Sequence, residues 1–470
     1  MKESTISLRA EAFMERMRRK GINFHSVLMQ QGSEVVYERY WAPFTPDRPH
    51  RMYSVTKTFV AIAVGCLLDE GKITLDDPII RYFPDKLPET VHPWLQEQTI
   101  RHMLMMSTCF AGINWFRPGV TDRTAYYFAQ TPNRPAGTLF DYDSTGSYIL
   151  GVLVERVAGM PLLDYLKQKV LNRIGGFENA QMLQTPDGTP WGDSALLCTP
   201  RALLNFARFV MNLGTWAGER LLSESYLREA TAALVTNDLD CLRAYNAYGY
   251  GYQIWKSERG FSFHGMGGQY AVCVPNSDFI FVCTGDNQYN ARASEEIFDA
   301  VFEYLVPGVR PADDAAARLG IAHGAASSLL ADRISGRTFT CADNPMEIGW
   351  FRLDFTGDEG CFVYSNAQGE KTLRFGLQKN VFGKFPQLGY SDDRGNVHEL
   401  TDFRYDCAAS AGWLDGRTLQ LRVQIIDRYF GSMTAAFGFR DENTVAVRMV
   451  KAAEDFLAEY QGWMAAETKP

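Results

Sequence analysis

The hydrophobic pattern of this chain changes period several times, and the changes divide it. Over residues 59–68 nearly every position is apolar, with Phe59, Val60, Ile62, Val64, Leu67 and Leu68 as the bulk. No wet face remains, so the stretch predicts a helix buried in the middle of a domain, with Gly71 as its C-terminal stop. Upstream, residues 1–20 carry an amphipathic, Arg- and Glu-rich helix pattern. Residues 25–30 and 34–40 then alternate around Gln31-Gly32-Ser33, a hairpin signal. Residues 72–104 are punctuated by Pro and Asp and predict a loop-rich helical layer. Further helix patterns run from Ser144 or Thr145, either of which can cap, to Gly159, and over 200–213 and 222–233.

From Tyr250 the period becomes two. Residues 250–255, 261–264, 269–274 and 279–284 predict short strands joined by tight polar turns, hence consecutive antiparallel pairing. A helix follows over about 294–305. Strands thus lie at both ends of segment 21–306 with helices between, which predicts an α/β (α+β) domain built on one antiparallel sheet. Residues 307–335 are rich in Ala, Asp and Gly and read as a linker. Beyond them Leu419, Leu421, Val423 and Ile425 alternate with polar residues, as do Val445 and Val447. A C-terminal β-rich, barrel-like domain is therefore expected over 336–470, ending in a helix over 452–463.

Composition narrows the possibilities. At 470 residues the chain exceeds the size at which one core stops growing, and 46% hydrophobic content supplies ample core. A net charge of −8 without a long Lys/Arg block argues against nucleic acid as a partner. The nine cysteines are scattered and lack a C-x-x-C pair, as expected of free core thiols in a reducing compartment. Residues 1–20 have no apolar core of a signal peptide, and no apolar stretch is long enough to span a membrane. A cytoplasmic location is the expectation. His92, His102 and His323 are too dispersed for a metal site, and neither metal nor cofactor is expected.

The candidate chemistry sits at the head of the buried helix. Ser54 and Lys57 are one turn apart on one face, close enough for the amine to take the hydroxyl proton. Helix N-terminal N–H groups favour developing negative charge, and burial disfavours the ammonium form of Lys57. The competing reading is an N-capping Ser54 with a snorkelling Lys57. Tyr142 lies on the loop before a helix, where it can reach a cleft or pack in a turn. The third feature is the phrase Phe263-His264-Gly265-Met266-Gly267-Gly268-Gln269-Tyr270, whose histidine can equally be a core residue and whose glycines can form a bulge.

Together, S-x-x-K at Ser54 and Lys57, Tyr142-Asp143-Ser144 and the Gly-rich strand phrase resemble the serine β-lactamase and penicillin-binding-protein superfamily. The likeness is greatest to the class C-like branch that includes D-aminopeptidases and family VIII carboxylesterases, and it covers about residues 20–306. The resemblance implies that Ser54 is the acylated nucleophile, Lys57 its base and Tyr142 the proton shuttle of a Y-x-N motif. Ser144 stands where that motif has Asn. The family's Lys-Thr-Gly or His-x-Gly strand motif aligns in two ways. One puts Phe263 at the cationic position with Gly265 as the glycine; the other puts His264 there and Met266 at the glycine. Ser144, His264, Gly265 and Met266 are accordingly the expected substrate-binding residues. The implied activity is hydrolysis of a small ester, amide or lactam through an acyl-enzyme. Alternatives are a D-amino-acid peptidase or carboxypeptidase acting on cell-wall fragments, and a ligand-binding relative without turnover.

Overall fold

The protein is represented by a computed structural model that describes residues 2–117, 119–240, 245–306, 319–387, 404–427, 430–453 and 457–468. Helix α1 (Lys2–Arg19) leads into the hairpin β1 (Phe24–Gln31) and β2 (Glu34–Tyr40). After α2 (Thr56–Asp69), α3 (Ser144–Ala158) and α4 (Pro200–Met211) come strands β3 (Trp255–Ser257), β4 (Gly260–Gly265), β5 (Gln269–Val274) and β6 (Phe279–Gly285), then α5 (Ala293–Ala300). The six strands form one antiparallel sheet in the order β2-β1-β6-β5-β4-β3, so the two ends of the segment do meet, at β1 and β6.

Side-chain alternation gives the sheet two apolar faces. Ala271, Cys273, Ile280 and Val282 join the core formed with α2, α3 and α4. Their neighbours Val272, Val274, Phe281 and Cys283 face α1 and α5, against Phe13, Met17 and Ile297. The N-terminal helix is therefore one outer layer of this unit. Every residue of α2 from Thr56 to Leu67 is buried, as its unbroken apolar pattern requires. Burial of each large side chain here contributes about 1.5–3 kcal/mol. Gly65 has no room for a β-carbon, which would lie 2.5 Å from the Tyr226 ring, and Gly71 takes a left-handed φ of +67° just past the helix end.

The C-terminal region is a closed barrel of nine strands. They are β7 (Thr338–Cys341), β8 (Trp350–Thr356), β9 (Glu359–Asn366), β10 (Gly369–Leu377), β11 (Asp406–Trp413), β12 (Thr418–Ile426), β13 (Phe430–Phe439), β14 (Thr444–Ala453) and β15 (Gly462–Thr468). The order is β10-β9-β8-β7-β15-β14-β13-β12-β11, and β11 returns to β10 through the parallel pairs Gly376↔Ser410 and Leu377↔Ala411. A short strand, Val381–Lys384, is added beside β11. Phe351, Phe362, Leu421, Phe437 and Val447 fill the interior.

The helix expected over 452–463 is not formed. Ala452 and Ala453 end β14, and Gly462 and Trp463 begin β15, with residues 454–456 outside the described set. The β14–β15 ladder, including Val447↔Met464, is needed to close the barrel, and its pairing overrides the local helix preference of the Ala- and Glu-rich stretch. Residues 307–318 of the expected linker also lie outside the described residues; a short helix, Ala331–Ile334, precedes β7. Among the described residues no helix is long and apolar enough to cross a membrane.

Candidate active site

Ser54 lies in a 3-10 turn, Tyr53–Val55, that runs straight into α2. Met52 and Val55 occupy the N-cap positions of turn and helix, and neither contributes a side-chain cap bond. The Ser54 hydroxyl is therefore not used as a cap. Lys57 is 1% exposed, and its Nζ donates to Ser54 Oγ at 2.9 Å and to the Asp193 carbonyl at 2.8 Å. A snorkelling lysine would reach water; this one is held inward, with its hydrogen bond on the candidate nucleophile. Tyr53, directly before the serine, has φ +47°, a left-handed conformation that costs a residue with a β-carbon about 1 kcal/mol or more. The Arg51 guanidinium, 4.8 Å from the Tyr53 ring, and the Met52 N–H bond to Leu196 O hold it there.

Tyr142 stands on the loop before α3, 38% exposed, with its ring 5.2 Å from Lys57 Nζ and stacked on Trp255 at 5.4 Å. The α3 cap is Asp143, not Ser144 or Thr145. Its carboxylate accepts from the Thr145 N–H at 2.8 Å and from the Thr145 and Thr108 hydroxyls. Burial pushes the Asp143 pKa up, and these hydrogen bonds oppose the shift. Ser144 is the first residue of α3, beside Tyr142. The segment that delivers Tyr142 is gripped by the barrel: Trp463 lies 4.0 Å from the fully buried Arg134 guanidinium, and a β-carbon on Gly438 would come within 2.5 Å of Leu139.

The Gly-rich strand passes close to the serine turn. A β-carbon on Gly265 would sit 2.3 Å from the Met52 carbonyl, so only glycine fits. Met266, 51% exposed, follows at the rim. The buried Gln269 amide pins this turn by donating to the Met266 and Gly285 carbonyls, both at 2.8 Å, and Asn287 Nδ2 donates to the Gly267 carbonyl at 3.1 Å. Phe263 is fully buried against Phe206.

His264 points to the other face of the sheet. It is 2.8 Å from Ser262 Oγ and surrounded by the rings of Trp255, Tyr245, Tyr270 and Phe298, at 5.0–5.8 Å. Burial pushes its pKa down to about 3, so the ring is uncharged at neutral pH. For esters that differ by a carboxylate in the leaving group, the ratio of kcat/KM values is therefore expected to stay flat from pH 5.5 to 8.5. A ratio that falls as pH rises through 6–7 would restore His264 as a charge reader. The same lowered pKa has a stability consequence. The unfolded chain binds the proton that the folded ring refuses, so stability falls as pH drops below about 6.5. His264→Gln is expected to lessen that acid sensitivity in pH-dependent thermal melts.

The structure thus brings Ser54, Lys57 and Tyr142 together with Gly265 and Met266 nearby, and sets His264 behind Trp255, the ring on which Tyr142 stacks. Sequence reasoning missed the Asp193 carbonyl, Trp255, Gln269 and Asn287. A backbone carbonyl has no residue-type signal, and the amides and Trp255 act through tertiary contacts that local spacing does not record.

A six-stranded antiparallel sheet between helical layers, with a serine turn feeding a buried helix, defines a β-lactamase-like fold. The beta-lactamase family profile matches residues 9–305, and the chain belongs to that family. It is 26% identical over 223 residues to a 6-aminohexanoate-dimer hydrolase of Paenarthrobacter ureafaciens, covering 44% of this chain and 56% of that protein. It is 29% identical over 161 residues to esterase EstB of Burkholderia gladioli, covering 30% of this chain and 41% of that one. The aligned stretches thus span about half the length of these relatives. The octameric penicillin-binding protein homologue of Pyrococcus abyssi has the same fold, with a TM-score of 0.52 at 16% identity over 98% of this chain and all of the other.

Proposed function

We propose that this protein is a serine hydrolase that cleaves a small ester or amide through an acyl-enzyme on Ser54. The observation that carries the reading is the contact of a buried Lys57 with a Ser54 hydroxyl that no helix end uses. Lys57 Nζ takes the Oγ proton as Oγ attacks the substrate carbonyl carbon. Charge developing on the carbonyl oxygen lies at the positive end of α2, whose dipole favours it. Tyr142, across from Lys57, passes a proton to the departing alcohol or amine, and later takes one from the water that releases the acyl group. Among the described residues β3 pairs with β4 only as far as Ser262, which leaves the edge at residues 263–266 to align a substrate against its backbone. The relatives named 6-aminohexanoate-dimer hydrolase and esterase EstB support the hydrolase reading.

Recognition of a leaving-group carboxylate, as a D-Ala carboxypeptidase needs, is disfavoured by an apolar Phe263 and an uncharged His264. The binding-only reading is disfavoured by the intact Ser54–Lys57 contact. Incubation with a fluorophosphonate followed by intact-mass analysis tests the proposal. A single adduct mapping to Ser54 is expected, and no adduct under forcing conditions would overturn it.

A further inference from the structure

A second wall of the site carries a buried cation that the acyl-transfer chemistry does not use. Arg123 opens the short helix Arg123–Phe128 and is 6% exposed. Its guanidinium lies over Trp115, Phe116 and Trp191, at 5.3, 5.2 and 5.0 Å from their ring centres. Among the described residues its Nε and Nη1 have no hydrogen-bond partner, while its backbone N–H donates to Asp187 Oδ2 at 3.3 Å. Aromatic faces return only part of what desolvating a guanidinium costs, and its planar fork of donors is suited to a carboxylate. Two more buried atoms beside it are unpartnered among the described residues, Trp191 Nε1 and Asp193 Oδ1.

The aromatic cluster is linked to the serine turn through Asp193 and Arg51. The Asp193 carbonyl binds Lys57, and the Arg51 guanidinium lies 4.8 Å from both the Tyr53 ring, next to Ser54, and Trp191. Phe116, which packs on the Arg123 guanidinium, is 67% exposed. Burial pushes the Asp193 pKa up, with Lys57 and Arg123 opposing. Tyr142, which meets the leaving group, stacks on Trp255 on the sheet side, which leaves this aromatic wall for the acyl part.

We propose that this aromatic slot is the acyl subsite and that Arg123 reads a carboxylate at the far end of the acyl chain, so that favoured substrates are mono-esters or mono-amides of short dicarboxylic acids. The inference rests on the serine-hydrolase reading for its placement relative to Ser54, though not for the binding of the anion itself.

The test compares the 4-nitrophenyl monoester of glutaric acid with 4-nitrophenyl pentanoate in wild type, Arg123→Met and Arg123→Lys. In wild type kcat/KM should favour the acidic ester. In Arg123→Met the ratio of acidic to neutral should fall on the order of ten- to hundredfold, mainly through KM, with partial recovery in Arg123→Lys. An unchanged ratio in Arg123→Met would overturn the proposal. Glutarate binding to the wild-type protein by calorimetry keeps the test open where the variant does not fold. Competition by glutarate, but not by pentanoate, for the site that binds neutral ester supports the slot, and absence of glutarate binding overturns it. If neither ester turns over and Ser54 takes no adduct, the hydrolase reading fails, and glutarate binding lost in Arg123→Met still upholds the anion site.

Discussion

Ser54→Ala is expected to abolish covalent labelling and to lower ester turnover on the order of a thousandfold or more, while the thermal midpoint stays close to that of the wild type. The two effects separate because of how the serine is placed. A serine that caps a helix gives up about 1 kcal/mol when truncated. Ser54 caps neither its turn nor α2, and its hydroxyl accepts only the Lys57 hydrogen bond among its described contacts. Truncation leaves Lys57 its second acceptor, the Asp193 carbonyl, so the loss is limited to one hydrogen bond, about 0.5–1.5 kcal/mol. Intact-mass labelling, initial rates and a thermal melt on one preparation check all three quantities. Retained turnover would remove Ser54 from the mechanism, and a large drop in midpoint would return it to a structural role.

Parts of this design are legible in the sequence because they are recorded in local pattern. The apolar run of α2 has no wet face, so its central burial follows, and with it the place of Ser54 at the head of a buried helix. The period-two stretches at both ends of the first unit define its sheet, and alternation at Leu419, Leu421 and Val423 announces the barrel wall. What is not legible depends on partners far along the chain. The Asp193 carbonyl that orients Lys57 comes from 136 residues away, and Trp463 reaches Arg134 from the other end of the chain. The stretch at 452–463 misleads for the same reason. Its composition favours a helix, but barrel closure requires β14 and β15 to run up to the turn between them. At 263–266 residue types alone leave two alignments open. The Met52 carbonyl, lying where a β-carbon on residue 265 would go, is a reason for glycine there that residue types do not record.

Lys57→Met is expected to lower kcat/KM about 10²- to 10⁴-fold, the usual contribution of a positioned base, with a thermal midpoint close to that of the wild type. Methionine nearly matches the length of the lysine stem and leaves no large cavity in the packed N-terminal turn of α2. The substitution strands the Asp193 carbonyl, which costs about 1–3 kcal/mol. Against that stands the removal of an amine that is 1% exposed and has no carboxylate hydrogen-bonded to it among the described residues. Burying a polar amine has its own desolvation cost, which the substitution removes, so the two effects offset one another. Loss of activity without loss of stability is what a buried functional group predicts, since its burial serves the chemistry and not the fold. A structural lysine would behave differently: the midpoint would fall and turnover would persist. Rates and melts of Lys57→Met beside Lys57→Ala, in which a cavity adds its own destabilisation, distinguish the two, and a lowered midpoint with near-normal turnover in the methionine variant would end the case for Lys57 as the base.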